Sequence, residues 1–124
     1  MRYTGRMEIL IVKEPISADM LHKLAAAWHV DLVKGVADIE KGVIALGGEW
    51  HIDANNVLIS AGSVQKDIWG FNIYPEKRGD EAIEYFSLIN IRPIQNNRGM
   101  EVESKDIQKA VRTVARQCMP YLEL

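Results

Sequence analysis

The chain has 124 residues, enough for one domain with one core, and its 15 basic and 17 acidic residues leave a formal net charge of −2. That balance excludes a strongly basic polyanion binder and a strongly acidic protein. The one cysteine, Cys118, excludes a disulfide-stapled secreted scaffold.

No apolar run approaches the eighteen or so residues needed to span a bilayer. Arg2 and Arg6 precede an apolar stretch, Ile9 to Val12, that is too short for a signal-peptide core. A cytoplasmic protein without membrane contact is expected. Residues 1–6 read as a loose lead-in to a single domain over 7–120. Glu8 to Lys13, closed by Pro15, reads as the first strand. Ser17 is placed to cap a helix over roughly 18–31, with Asp19 in its first turn and Met20, Leu21, Leu24, Trp28 and Leu32 at helical spacing.

Val33 to Leu46 could extend that helix, but two glycines inside it would each cost about 1 kcal/mol relative to alanine. A hairpin fits better, with Gly42 in its turn and Val43 to Leu46 as the second arm. Gly47-Gly48 permits a kink, and Glu49 to Ile52 is expected to continue the strand. Asp53 is a candidate cap for a short helix that carries Val57, Leu58 and Ala61 and stops at Gly62. A second hairpin follows, with arms Ile68 to Tyr74 and Ala82 to Arg92 around a polar turn, closed by Pro93. Residues 94–103 read as a loop. Ser104 caps the last helix, whose apolar stripe is Ile107, Ala110, Val111, Val114 and Cys118, with Pro120 after it. The order is β-α-β-β-α-β-β-α. It predicts an α+β fold: a mostly antiparallel five-stranded sheet with helices packed on one face.

Three strings place polar groups among residues that read as buried strand: Gly47-Gly48-Glu49-Trp50-His51-Ile52-Asp53, Trp69-Gly70-Phe71-Asn72 and Ser87-Leu88-Ile89-Asn90-Ile91-Arg92-Pro93. A polar group buried without a partner costs a few kcal/mol. These groups must therefore satisfy one another or face a ligand. On these strings the chain resembles a family of small prokaryotic proteins catalogued only as a domain of unknown function. The family carries Gly-Gly-Glu-x-His-x-Asp, Gly-Ser-x-x-x-Asp-x-Trp-Gly-x-Asn and Ser-Leu-Ile-Asn-Ile-Arg-Pro. These fall here on 47–53, 62–72 and 87–93, and the resemblance spans about 8–118. It implies a bacterial or archaeal cytoplasmic protein and assigns no catalytic residue.

Glu49, His51 and Asp53 alternate, so on a strand they would share a face and could hold a metal or act as an acid-base set. A lone histidine and a competing helix-cap role for Asp53 argue against a metal, and no cofactor is expected. His22 and His29 read as a solvated helix face. Cys118 lies on an apolar stripe, and Ser63 and Ser87 have no sequence-local base, so a nucleophile is poorly supported. The Asn96-Asn97-Arg98-Gly99 loop could form an anion nest, although turn chemistry explains it equally.

His51, Asn72, Asn90 and Arg92 are the candidates for a polar pocket that takes a small anionic ligand. Asn90 and Arg92 would share a strand face, and whether Asn72 joins them depends on register. The competing reading is a structural network in which Arg92 pairs with Asp38, Glu49 or Asp53. Lys105, Lys109, Arg112 and Arg116 form a basic stripe that could lie on nucleic acid, but a solvated helix face explains it more simply. Trp50, Trp69, Phe71 and Tyr85 supply aromatic surface for a homodimer or higher homo-oligomer. The sequence favours a non-enzymatic binding or regulatory module. A metal-assisted hydrolase using Glu49, His51 and Asp53 is the alternative, with nucleic-acid binding through the last helix behind it.

Overall fold

Short β-branched and aliphatic runs punctuated by glycine build a five-stranded antiparallel sheet. The computed structural model describes residues 8–124; the lead-in expected over 1–6, and Met7, lie outside the described residues. The strands are β1 (Leu10–Val12), β2 (Val33–Asp38), β3 (Val43–Leu46), β4 (Ile68–Ile73) and β5 (Ile83–Glu84), in spatial order β1-β3-β2-β4-β5. The helices are α1 (Ala18–Trp28), α2 (His51–Ser60) and α3 (Lys105–Cys118). The α+β class and the β-α-β-β-α-β-β-α order are as expected.

Capping follows the sequence at two helices. Ser17 accepts from the Met20 amide at 3.0 Å, and Ser104 accepts from the Ile107 amide at 3.2 Å. The β2–β3 hairpin turns through Gly42 at φ +72°, the left-handed geometry that glycine adopts without strain.

Strand alternation sends residues to two layers. Trp69, Phe71, Ile44 and Leu46 pack with Leu21 and Leu24 of α1 and Val111, Val114 and Cys118 of α3 in the larger core cluster. Val36, Ala45 and Ile68 face the other way and pack with Ala54 and Leu58 of α2. One-face packing thus holds for α1 and α3, while α2 covers the opposite layer.

Two local expectations change. Residues 49–52 do not continue the strand. Gly47 and Gly48 sit at φ +111° and +95°, turn the chain, and α2 begins at His51. Asp53 is not the cap itself: it lies in the first turn and accepts the Trp50 amide through Oδ2 at 3.2 Å, the returning half of a capping box. The second arm of the last hairpin is also shorter than expected. β5 ends at Glu84, and Leu88–Asn90 and Pro93–Gln95 form 3₁₀ turns instead of strand.

Candidate functional site

The three polar strings converge on β4. This strand pairs with β2 over all six residues but with β5 only at Asn72 and Ile73. Its β5 side is therefore open over Ile68 to Phe71. Side chains close it. Asn90 Oδ1 accepts the Gly70 amide at 2.8 Å, and Asn90 Nδ2 donates to the Gly70 carbonyl at 3.0 Å and to Met100 O at 3.1 Å. The carboxamide thus bonds to Gly70 as a neighbouring strand would. Arg92 donates to the carbonyls of Ile68, Gln65 (2.9 Å) and Ile89 (2.9 Å). Its guanidinium lies 4.3 Å from the centroid of Trp69, where cation–π attraction adds to the hydrogen bonds.

Residue 70 must be glycine for this docking to work. A Cβ there would sit 2.5 Å from Ser87 Cβ and 2.8 Å from Ser87 Oγ. The glycine of the second string is thus the seat for the serine of the third. The first string reaches the same strand: His51 Nε2 lies 2.9 Å from Phe71 O. A carbonyl only accepts, so this nitrogen carries the proton. Burial is the main reason that the His51 pKa falls from 6.5 to about 4; the Phe71 bond opposes the fall and Lys34 adds to it. The ring is neutral at physiological pH.

Asn90 and Arg92 therefore do not join a pocket with His51 and Asn72, and they do not share a strand face. Arg92 takes backbone carbonyls and the Gln95 side chain, not Asp38, Glu49 or Asp53. Asp38 is buried and accepts from Ser63 Oγ at 2.6 Å and from the amides of Glu40 and Lys41. Glu49, His51 and Asp53 do not assemble a shared face, because α2 begins between them. Among the described residues no three His, Cys, Asp or Glu side chains are grouped to hold a metal ion.

The remaining sequence candidates have definite places. His22 binds Glu76 at 2.7 Å on the surface, and His29 Nε2 binds Glu49 O at 2.9 Å. Cys118 is buried, which pushes its thiol pKa up. The Asn96–Gly99 loop does present amides to an anion, and Glu103 fills that role by accepting from Arg98 N at 3.0 Å and Gly99 N at 3.2 Å. On the basic stripe, Arg112 pairs with Asp80 at 2.6 Å and Arg116 donates to Leu124 O at 2.8 Å; neither bond involves Lys105 or Lys109. Of the aromatics expected at the surface, Trp69 and Phe71 are core residues, Tyr85 is half-buried and Trp50 is 57% exposed.

His51 and Asn72 do share a cleft of about 410 Å³. Its walls are Trp50 and Ile52 from the start of α2, Phe86, Ser87, Leu88 and Ile89 from the segment after β5, and Met100. Among the described residues, Lys34 is the one charged residue that lines it. The sequence reading missed Lys34, because its place depends on cross-strand register: it pairs with Asn72 across β2 and β4. Its ammonium lies 5.7 Å from the Trp50 ring centroid. Trp50, Ile52, Phe86 and Leu88 are all exposed and form an apolar rim.

Fold and site together define a small α+β domain with a side-chain-closed sheet and an amphipathic cleft. Residues 10–118 match the family described as proteins of unknown function, DUF5674, and the chain belongs to it. No curated protein and no solved structure gives a match. Among the described residues no helix is long and apolar enough to cross a membrane.

Proposed function

We propose that this chain is a binding module that holds a small organic anion with an apolar body in the cleft beside α2. The observation that carries this reading is the lining: apolar walls with, among the described residues, one cation, Lys34. Small-molecule sites have this composition, and their usual volumes begin at about 300 Å³. Catalysis has less support. A histidine with a pKa of about 4 is a weak general base near neutrality. Ser87 is buried, and its hydroxyl already accepts the Ile89 amide at 3.2 Å. Titration with 1-anilinonaphthalene-8-sulfonate, an apolar fluorescent anion, tests the reading. Octanoate should displace it, octylamine should not, and Lys34→Gln should weaken both anions. Equal displacement by the amine would overturn the preference for an anion. A cytoplasmic setting belongs to the same proposal and rests on the balanced charge and the lone thiol.

Self-association is a second reading, supported by the exposed rim. Leu88 at 66% and Trp50 at 57% exposure are large apolar groups that a homo-oligomer would cover. Light scattering at micromolar concentration should then give at least a dimer mass, and Leu88→Ser should lower it. A monomer mass for the unmodified chain rejects this reading.

A further inference from the structure

Trp50 is the residue of the cleft whose place the fold explains least. It is the N-cap of α2, where Ser, Thr, Asp or Asn would accept an amide of the first turn. An indole N–H only donates, so the Trp50 side chain offers no acceptor there. The backbone makes the cap instead: the Trp50 amide donates to Asp53 Oδ2 at 3.2 Å, and the Trp50 carbonyl accepts the Asp53 amide at 3.0 Å. Neither bond involves the indole. Nor does the core use the ring, because Trp50 is 57% exposed. A large side chain placed against the local preference, with no structural return, is what functional sites show. Trp50 stands in the wall of the cleft, with the Lys34 ammonium 5.7 Å from its ring centroid, and Phe86 lines the same cleft.

We infer that Trp50 selects the body of the ligand: the cleft takes an aryl acid whose ring lies on the indole while its carboxylate meets Lys34. This rests on the reading of the cleft as a site for an anion with an apolar body, and it narrows that class to aromatic acids. A charge-assisted bond of about 2.8 Å to the ammonium holds a carboxylate beside the indole, and a ring joined to it by a short linker reaches the Trp50 face. Stacked aromatic pairs gain affinity beyond the area they bury, so a flat ring is favoured over a saturated one of the same carbon count. Lys34 and Trp50 then divide the recognition, one reading charge and the other shape.

Two acids of matched charge and linker separate the possibilities. Phenylacetate carries a flat ring; cyclohexylacetate carries a bulkier and more apolar one, which wins if buried area alone decides. Calorimetric titration of the full chain should show phenylacetate binding at least about twofold tighter, the lower end of what an aromatic pair adds. Trp50→Leu should abolish that preference and Trp50→Phe should keep it. The Trp50 indole resonance should shift as phenylacetate saturates the unmodified chain. A ratio below twofold overturns the aryl inference and leaves the cleft reading standing. An unmoved indole resonance, or a phenyl preference that survives in Trp50→Leu, does the same. If neither acid binds at millimolar concentration, the cleft reading falls and takes the inference with it.

Discussion

Acid should destabilise this fold through His51, and the size of the effect follows from its surroundings. Burial holds the ring neutral and lowers its pKa from 6.5 to about 4. In the unfolded chain the ring titrates near its ordinary value. Between those two values the unfolded state binds more protons, so stability falls as pH drops from about 6.5 toward about 4 and levels off below. Above about 6.5 the contribution is complete. At about 1.4 kcal/mol per pH unit, the change amounts to about 3 kcal/mol, a large share of the roughly 5–15 kcal/mol that stabilises an ordinary domain. Urea unfolding of the unmodified chain and of His51→Gln, at several pH values between about 7.5 and 4.5, reads it directly. Glutamine can still donate to the Phe71 carbonyl, and the carboxylates titrate alike in both proteins. Their difference therefore isolates the histidine. The unmodified chain should lose about 3 kcal/mol more than the variant across that range. Parallel pH profiles would refute the reasoning, as would an NMR titration midpoint for His51 near its ordinary value.

His22 should behave in the opposite sense. Its bonds to the Ala18 carbonyl and Glu76 raise its pKa above 6.5, so its contribution is full below that value and lost as pH rises through the folded one. The site is exposed, and the check is an NMR midpoint above that of a model peptide. Gly70→Ala should cost about 1–3 kcal/mol, because the new methyl overlaps Ser87. Adding Ser87→Gly should restore part of that loss, and two independent costs in denaturant melts would contradict the docking geometry. Asn90→Leu should cost about 3 kcal/mol in the same assay, since it strands the Gly70 amide and carbonyl and leaves Met100 O with the Ser87 amide alone. A loss under about 1 kcal/mol would mean that water replaces the side chain.

Element order was legible because apolar spacing is local: Leu21 and Leu24, or Val111, Val114 and Cys118, announce a helix wherever it packs. The strings were harder. Residues 49–53 read as alternating strand because the pattern is silent about where a double glycine sends the chain. Only the positive φ of Gly47 and Gly48 shows that His51 opens a helix. Ser87 to Arg92 alternates like a strand, yet its polar side chains, more than its backbone, do the pairing with β4. Arg92 bonds to backbone carbonyls in place of the carboxylates expected for it. Lys34 could not be placed in the cleft without the register that sets it opposite Asn72.

The closing of β4 by Asn90 and Arg92 has a consequence for how this protein can fail. An open strand edge is a template that recruits other chains, and Ile68-Trp69-Gly70-Phe71 is apolar, uncharged and free of proline, the composition that stacks readily. In the native state two side chains occupy that template without adding a strand that could itself be extended. A chain that has formed its hairpins but not yet laid residues 87–92 against β4 carries the hazard uncovered. Damage to Asn90 or Arg92 should therefore show first as aggregation during refolding at high protein concentration, before any loss of native helix or sheet.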